Sequence, residues 1–561
     1  MEKAKKKIKT SLVWLPVALL IIFSFWTIRG LLVSGFFPIH DDTQVARVNQ
    51  MALALKDKQF PVRWVKDLGY GYGYPLFNFY APLAYYVGAL FNLIGFNALA
   101  STKMMMGLGM VLGGITMYFL AKEFWGKLGG MISAVSYLYL PYKAVDLYVR
   151  GAIAELWALG FLPLVFLGVW LVFKEQRRGV VVGGLGLALV ILSHNLTALM
   201  LTPFLISVFL VAFIFSQKKS LFSRHSVFLV LLGLSLSAFY WLPALREMNL
   251  TQVSSQLGGG ADWVDHFVYL DQLWASPWGF AGSGPGRLDG MSFMVGKLHL
   301  ILSGLVLLIT FFSQRPQKKE KVYTWIGIGF FLVAVFFTSR MSASVWRLFP
   351  LMAFIQYPWR FLGFIGFFVA FLTGGIVLYL HRNSILAYLP AFFIIITLIA
   401  LNSRYFKPQF KIQTSSSYYL EESNLKWSTS KISFEYLPKD FLIPQTPEEV
   451  AQKKVIVPPE ANLKMIEEKS SKLVFNLQAH EQTTILVNLA YFPGWQVFFN
   501  QEKLIPEIKN GRFKLFIPPG NHQVKFVFAN TPVRILGNSV SILGLVGLLL
   551  YAKIALWRRQ K

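Results

Sequence analysis

Residues 361–380 read FLGFIGFFVAFLTGGIVLYL, a run with no charged side chain. A helix needs about 20 mostly apolar residues to cross the hydrocarbon core of a bilayer, and this run has that length. The whole chain of 561 residues is 55% hydrophobic and only 14% charged, whereas soluble globular chains are about 25% charged. A water-soluble fold could not bury so much apolar surface, so the sequence predicts a polytopic α-helical membrane protein.

Further apolar runs extend this prediction along the chain. We expect twelve crossings, at 12–35, 102–121, 128–147, 152–173, 179–195, 197–216, 226–245, 297–314, 322–338, 360–380, 384–402 and 535–556. The segment Pro82–Phe96 is short for a span that needs about 20 residues, and we expect it to be interfacial or re-entrant. The first crossing follows a basic N-terminus without a clear small-residue cleavage site, which favours a retained anchor over a removed signal peptide.

The basic residues are concentrated in short clusters between the predicted crossings. They include Lys3–Lys9, Lys122–Lys127, Lys174–Arg178, Lys218–Arg224, Arg315–Lys321, His381–Arg382 and Arg558–Lys561. Such clusters mark cytoplasmic loops, so the net charge of +27 indicates membrane orientation and not a nucleic-acid partner. The pattern predicts a multi-pass protein of the cytoplasmic membrane with both termini cytoplasmic. The absence of cysteine excludes disulfides, thiolate metal sites and a cysteine nucleophile.

Three regions follow from this topology. Residues 1–402 form a transmembrane domain with outer loops at 36–102, 246–296 and 339–359, and residues 535–561 form a C-terminal anchor with a cytoplasmic tail. Between them, residues 403–534 contain alternating β-branched and aromatic runs separated by turn signals. The runs are Lys472–Leu477, Thr483–Tyr491 and Gln523–Phe528, and the turns are Phe492-Pro-Gly494, Asn510-Gly511 and Pro518-Pro-Gly520. We expect an extracytoplasmic β-sandwich.

His40-Asp41-Asp42 stands at the outer end of the first predicted helix. Adjacent carboxylates at a membrane boundary are costly unless they face water, a cation or a polar partner. Either carboxylate could take a proton from an acceptor hydroxyl or hold a divalent cation near a phosphate. The alternative is an N-cap on a surface-lying amphipathic helix at Thr43–Lys56.

A second motif, Gly69-Tyr-Gly-Tyr-Gly-Tyr74, suits neither a helix nor a core strand. It suits a loop whose rings, among them Tyr72 and Tyr74, line a sugar or lipid groove. The alternative is a plain aromatic belt at the membrane surface. The motif lacks the lysine and the strand-to-helix context of a phosphate loop.

A third cluster comprises Asp146, Arg150 and Glu155 at the outer mouth between two predicted crossings. Asp146 and Arg150 are four residues apart and could simply pair on one helical turn. In the functional interpretation, Arg150 clamps a phosphate and Glu155 orients substrate or acts as a second base.

Two further groups lie on the same predicted side. His194-Asn195 falls between consecutive crossings, where a histidine is often only capped or hydrated. Arg340, Arg347 and Arg360 are arginines on an outer face that the positive-inside rule should deplete. They suit an anionic ligand such as a lipid phosphate, with headgroup anchoring as the alternative.

All these groups share one side of the membrane, which indicates a common outer site. Asp41 and Asp42 are the predicted catalytic residues and possible metal ligands. The predicted substrate-binding residues are His40, Tyr72, Tyr74, Asp146, Arg150, Glu155, His194, Asn195, Arg347 and Arg360. No nucleotide-binding fingerprint occurs on the cytoplasmic side, which favours a lipid-linked donor over a soluble nucleotide sugar.

Taken in order, these motifs resemble the GT-C superfamily of membrane glycosyltransferases. Within it, the chain is similar to the YfhO-like proteins and the bacterial membrane proteins labelled 6-pyruvoyl-tetrahydropterin synthase-related. The matching stretches are His40–Asp42, Gly71–Phe77, Tyr148–Glu155, Ser193–Thr197, Tyr357–Phe361 and Tyr491–Trp495. The label implies no pterin chemistry here, because the chain lacks the zinc-binding histidine cluster of the soluble enzyme.

The resemblance implies sugar transfer from a polyprenyl-phosphate donor to an acceptor on the outer face. It assigns the role of base or metal ligand to Asp41 or Asp42, with Mg²⁺ or Mn²⁺ as the possible cation. The expected partners are the bilayer, the polyprenyl-phosphate sugar, and a surface glycan, glycolipid or protein acceptor. Two alternatives are a transporter or flippase of lipid-linked precursors, which the nearly charge-free mid-helix regions disfavour, and a non-catalytic glycan-binding scaffold.

Overall fold

The computed structural model describes residues 14–256, 258, 261–314, 317–379 and 387–557. Among the predicted basic clusters, Lys3–Lys9, His381–Arg382 and Arg558–Lys561 lie outside the described residues, as does the start of the first predicted crossing.

Long apolar helices dominate the first three quarters of the chain. The helices are α1 (a bent pair, Trp14–Phe23 and Phe25–Leu31), α2 (Gln44–Lys56), α3 (Leu83–Leu93), α4 (Ala98–Leu138), α5 (Ile153–Phe173), α6 (Arg178–Ser193), α7 (Asn195–Phe215), α8 (Lys219–Leu236), α9 (Ala238–Glu247), α10 (Lys297–Phe312), α11 (Lys318–Thr338), α12 (Leu362–Thr373), α13 (Tyr388–Asn402), α14 (Ser416–Leu420) and α15 (Pro532–Trp557). Within the described residues, eight helices are long and apolar enough to cross a membrane, or nine if the bent pair α1 is one span. The prediction of a helical membrane protein is therefore confirmed.

Helix α4 is a hairpin of two antiparallel helices. At Gly126 the backbone leaves helical geometry, with φ 72° and ψ −179°. On either side of this turn the chain doubles back, so that Gly130 lies against Lys122 and Gly114 lies against the Leu138 side chain. The turn falls inside the predicted basic loop, and the two arms correspond to the expected crossings at 102–121 and 128–147.

Helix α2 is buried inside the molecule. Val45, Val48 and Met51 are at most 1% exposed. The alternative of a surface-lying amphipathic helix at Thr43–Lys56 is therefore wrong, because both polar and apolar faces of α2 pack against protein. The neighbouring helix α3 has 11 residues, which at about 1.5 Å each fall well short of a bilayer core of about 30 Å.

The two loops after α9 and α11 fold against each other. Trp263 stacks on Trp346 with ring centroids 5.6 Å apart, and Phe293 stacks on Trp359 at 6.2 Å. The amide of Val268 also donates to a backbone oxygen at the end of α11. These contacts fix the start of α12 from the loop side.

The C-terminal domain contains two antiparallel sheets. The strands are β1 (Val455–Ile456), β2 (Asn462–Lys469), β3 (Lys472–Ala479), β4 (Thr483–Ala490), β5 (Trp495–Phe499), β6 (Glu502–Leu504), β7 (Glu507–Lys509), β8 (Arg512–Ile517) and β9 (Gly520–Phe528). One sheet has the order β1-β4-β8-β7 and the other β2-β3-β9-β5-β6. Phe513 of the first sheet meets Phe526 of the second at 5.1 Å, so apolar side chains fill the space between the sheets.

The three strands expected from alternation are confirmed as β3, β4 and β9. The Asn510-Gly511 turn joins β7 to β8 with positive φ at both residues, as two-residue hairpins require. The strands occupy only 455–528, and residues 403–454 contain short helical turns and irregular chain that pack between the sheets and the helices.

Candidate functional site

The loop after α1 is held against the segment between α4 and α5. The amide of His40 donates to the carbonyl of Val149 at 3.0 Å, and that of Asp41 donates to the carbonyl of Arg150 at 2.9 Å. This backbone pairing brings Asp41 and Asp42 beside the cluster of Asp146, Arg150 and Glu155. The imidazole Nε2 of His40 also lies 2.9 Å from the carbonyl oxygen of Phe280.

Neither carboxylate occupies the N-cap of α2. The N-cap is Thr43, whose amide donates to the backbone oxygen of Asp41 at 2.7 Å. The side chain of Asp42 therefore does not cap α2, and its Oδ1 is buried without a hydrogen-bond partner among the described residues. Burial raises the pKa of the Asp42 carboxyl from 3.8 to about 6.

Arg150 is enclosed by acidic groups. Its Nη1 lies 2.5 Å from Asp146 Oδ1 and 3.0 Å from Glu155 Oε2. It also donates to the hydroxyl of Tyr142 at 3.2 Å, and its guanidinium carbon stands 4.5 Å from the ring centroid of Trp359. The local pair of Asp146 and Arg150 is therefore formed, and a guanidinium shared by two buried carboxylates has little charge left for a phosphate.

The position of Arg150 among these carboxylates results from a short π-helical turn, Asp146–Arg150, which ends at Gly151. Gly151 has φ 67°, a conformation that costs glycine little, and a Cβ there would collide with the Ile39 side chain. The turn aims Arg150 and Asp146 at the start of α5, where Glu155 accepts from the Tyr142 hydroxyl at 2.6 Å.

Arg360 contrasts with Arg150. Its Nε and Nη1 are buried and lack hydrogen-bond partners in the described part of the chain, while Nη2 makes only a long contact of 3.4 Å to Gln356. Its charge interacts with those of Asp146, Glu155 and His194, which places it at the same cluster. Arg360 is therefore the cation of this cluster that can still bind an anion.

The remaining predicted residues are placed differently. His194 caps α7 by accepting from the Thr197 amide at 3.3 Å, and it lies within electrostatic range of Glu155. Asn195 and Arg347 are exposed, and within the described ranges neither contacts the cluster. The structure therefore unites the groups at 40–42, 146–155, 194 and 360, and leaves Asn195 and Arg347 apart.

Tyr72 and Tyr74 lie in the contact between the helices and the C-terminal domain. The Tyr72 hydroxyl accepts from the Ala451 amide at 3.1 Å, and its ring meets Phe441 at 5.0 Å. Tyr74 is 1% exposed. Both rings are thus buried between domains and do not form an aromatic belt at the membrane surface.

The sequence reasoning missed two members of the cluster, Tyr142 and Trp359. Tyr142 precedes Asp146 by four residues, a spacing that places both on one helical face and was available as a signal. Trp359 stands next to Arg360 in a motif already noted, but its contact with Arg150 depends on the folded chain.

A metal site made of protein groups alone is not formed. Among the described residues, no group of three or more His, Cys, Asp or Glu side chains could hold a metal ion. Asp41 and Asp42 remain compatible with Mg²⁺, which proteins often bind through one or two carboxylates together with substrate phosphates.

Solved structures with some likeness to this chain were found. An arabinofuranosyltransferase, AftD, from Mycobacteria aligns with a TM-score of 0.44 and 14% identity over 74% of this chain and 28% of its own. The oligosaccharyltransferase of Archaeoglobus fulgidus gives 0.39 and 13% over 78% and 58%. ArnT from Cupriavidus metallidurans, bound to undecaprenyl phosphate, gives 0.32 and 12% over 71% and 90%. Likenesses at this level do not by themselves define a function.

Two sequence comparisons bear on the family. An uncharacterized protein of Lactococcus lactis subsp. cremoris (strain MG1363) is 26% identical over 217 residues, and the match covers 36% of this chain and about a third (35%) of that relative. A family model described as "6-pyruvoyl-tetrahydropterin synthase related domain; membrane protein" matches residues 77–262. The resemblance to these membrane proteins is thereby confirmed over residues 77–262, the part of the chain that the family model matches.

Proposed function

We propose that this protein is a membrane glycosyltransferase of the GT-C type. It moves a sugar from a polyprenyl-phosphate donor to a glycan, glycolipid or protein acceptor on the outer face of the cytoplasmic membrane. The observation that carries the proposal is the convergence of the groups at 40–42, 146–155, 194 and 360. Within it, Asp42 and Arg360 have buried atoms without partners.

The two side chains suit opposite ends of the reaction. The acceptor hydroxyl oxygen bonds to the anomeric carbon of the donor sugar while its proton passes to Asp42 or Asp41. The bond between the anomeric carbon and the phosphate oxygen breaks, and polyprenyl phosphate leaves. Arg360 stabilises the charge that develops on that phosphate. The ion pairs of Arg150 hold Glu155 and Asp146 in place beneath this site.

A divalent cation belongs to the proposal as an optional component. Mg²⁺ or Mn²⁺ would be held by Asp41 and Asp42 together with the donor phosphate, and it would neutralise phosphate charge. Activity lost in EDTA and restored by either ion supports this component. Full activity after exhaustive chelation would show that the reaction needs no divalent cation, and the proposed roles of the side chains would be unaffected.

The proposed topology has twelve crossings, with the two arms of α4 counted separately and α3 not crossing. Both termini are cytoplasmic and the C-terminal domain is outside. Three basic loops support this topology: the one around Gly126, the one after α5 and the one before α8. Along the chain they alternate with the segments that carry the site residues. Reporter fusions at Phe96 and Lys174 test it: we expect an outward signal at Phe96 and an inward one at Lys174, and the reverse at Lys174 contradicts it.

The catalytic assignment is tested with labelled polyprenyl sugars from a lipid extract. The double variant Asp41→Asn/Asp42→Asn should lose about 10²–10⁴-fold of transfer, the usual contribution of a general base. Asp265→Asn, an exposed carboxylate on another outer loop, is the control and should keep full rate. A folded double variant with full activity would contradict the assignment of Asp41 and Asp42 as catalytic residues.

The same assay separates the rival functions. Release of polyprenyl phosphate only when acceptor is added is expected of a transferase. Movement of the labelled lipid across vesicles without release would instead identify a transporter. Binding of glycans with neither event would identify a scaffold.

A further inference from the structure

A second candidate site lies between residues Gly69–Tyr74, which we call the Gly-Tyr loop, and the C-terminal domain. A cavity of ≈ 410 Å³ opens there, within the usual range of small-molecule sites of about 300–1,000 Å³. Its walls come from the loop at 66–72, from 420–426, from 451–454 and from the two sheets. Because the walls come from separated segments, the cavity exists only when the two domains are packed together.

The walls carry both charges in near balance. Lys66, Lys426, Lys453 and Lys454 face Asp67, Glu422 and Glu468 around the cavity. Two of these cations are already paired inside the protein: Lys66 lies 3.2 Å from Asp67, and Lys426 lies 2.5 Å from Glu422. The wall therefore presents both hydrogen-bond donors and acceptors and lacks the large excess of positive charge that a polyanion requires.

Lys454 is fixed deeply in this wall. Its ammonium donates to the carbonyl oxygen of Gly71 at 2.9 Å, and burial lowers its pKa to about 8. This hydrogen bond connects the segment just before β1 to the Gly-Tyr loop. Gly71 has φ 79°, and a Cβ there would collide with the Lys426 side chain, so the loop can follow this path only with glycine.

Aromatic rings complete the wall. Tyr70 lines the cavity, is 3% exposed, and packs against Trp427 at 5.7 Å between ring centroids. Its φ of 58° is unusual for a residue with a side chain and is the kind of strain that accumulates at binding sites. Aromatic rings beside mixed donors and acceptors suit the apolar faces and hydroxyl edges of sugars.

The cavity adjoins the proposed catalytic site through α14. Tyr419 lies within electrostatic range of Asp42, and the next residue, Leu420, lines the cavity. Tyr419 also contacts Phe36, at the end of the chain segment that leads to His40, with centroids 5.9 Å apart. One short helix therefore separates the cavity from the candidate base.

We propose that this cavity binds the acceptor, and that the acceptor is a neutral, hydroxyl-rich saccharide. The role as acceptor site rests on the proposed function, whereas saccharide binding does not require catalysis. The pairing of the wall lysines with carboxylates favours uncharged sugars over phosphate- or uronate-bearing ones. A bound saccharide that extends past α14 would present a hydroxyl to the base.

The test is binding of the full chain, in detergent, to an array of neutral hexose and N-acetylhexosamine oligosaccharides and of uronate-bearing ones. We expect neutral oligosaccharides to bind. Gln452→Trp, which fills the cavity from an exposed wall position, and Glu422→Gln, which removes an acceptor charge, should each weaken binding at least about tenfold. Gln478→Trp is the matched control: it lies on an exposed, amide-rich part of β3 outside the cavity, and the variant should bind like the parent.

Several results overturn the assignment. They are binding of uronate-bearing glycans alone, no saccharide binding, loss of binding in Gln478→Trp alone, or parental binding in both Gln452→Trp and Glu422→Gln. The transfer assay keeps the two proposals apart. If the protein binds neutral saccharides through the cavity but transfers no sugar, the proposed function fails and the binding site stands. If it transfers sugar while Gln452→Trp and Glu422→Gln both bind normally, the cavity assignment fails.

Discussion

At the scale of single residues, Asp42 and Arg360 differ from their charged neighbours in how completely they are satisfied. Arg150 is shared by two carboxylates and a tyrosine hydroxyl, whereas Nε and Nη1 of Arg360 have no hydrogen-bond partner in the described structure. Leaving a buried polar group unpaired costs about 1–3 kcal/mol, so such groups usually have a ligand. Asp42 and Arg360 therefore both present unpaired buried atoms to a substrate.

The first prediction concerns pH. Because burial raises the pKa of Asp42 to about 6, transfer should rise with pH through a limb centred near that value, as the base becomes charged. The folded pKa exceeds that of an exposed carboxyl, so the contribution of Asp42 to stability is lost as the pH rises from 3.8 to about 6 and is constant above that. The pH profile of kcat/KM checks this, and a profile flat from pH 5 to 8 contradicts it.

The second prediction compares two arginines. Arg360→Ala should lower kcat/KM for the polyprenyl donor about 10- to 100-fold, since a charge-assisted hydrogen bond is worth about 1.5–3 kcal/mol. Arg347→Ala is the control, because Arg347 is exposed on the short helix Ala343–Leu348 and has no contact with the cluster in the described chain. Equal losses in the two variants would mean that both arginines act through general charge.

At the scale of elements, the turn at Gly126 determines whether residues 98–138 form one helix or two. Its φ of 72° with ψ of −179° is a combination that essentially only glycine adopts. The neighbouring lysines could not impose this reversal, because they favour helix. The hairpin therefore depends on one residue, and it sets the direction of every later helix.

The third prediction follows from that geometry. Gly126→Ala should cost about 1–3 kcal/mol of stability through backbone strain alone, because no heavy atom lies within 4 Å of the added Cβ. Gly329→Ala in α11 meets equally open space in regular helix, and it should stabilise by about 0.5–1 kcal/mol. Thermal unfolding in detergent measures both changes, and a destabilised Gly329→Ala or a neutral Gly126→Ala would contradict the explanation.

At the scale of the whole molecule, a buried network joins the last helix to the rest. Glu247 at the end of α9 accepts from Arg534 Nε at 3.0 Å, from Asn78 at 2.8 Å and from Thr531 at 2.6 Å. Arg63 donates to the same Asn78 at 2.9 Å. The segment between α2 and α3 is thus joined to α9 and α15 at one point, which holds the C-terminal domain against the helices.

The fourth prediction tests this joint. Glu247→Ala leaves Arg534 buried without its carboxylate and should destabilise the protein by about 3–5 kcal/mol. The control is Asp271→Ala, which breaks the exposed pair with Arg287 and should change stability little because solvent screens that pair. Unfolding midpoints in detergent provide the measurement. Similar shifts in the two variants would show that burial of the network is unimportant.

Much of the architecture could be predicted from local pattern. The apolar runs gave the helices, alternation gave β3, β4 and β9, and basic residues around Gly126 indicated a turn. The individual site residues could be predicted as candidates, since His40–Asp42, Arg150 and Arg360 are unusual for their positions. Their pairing could not, because His40 contacts Phe280, 240 residues away in sequence.

The sequence by itself therefore determined that this is a helical membrane protein with a β-sheet domain near its C-terminus, since hydrophobic length and alternation are local properties. Only the tertiary structure decided which charges are neutralised and which stay available. Asp146 and Glu155 form ion pairs with Arg150, Arg360 keeps unpaired donors in the described chain, and the Gly-Tyr loop packs against the second domain. These outcomes depend on distances between side chains from remote segments, which pattern along the chain does not encode.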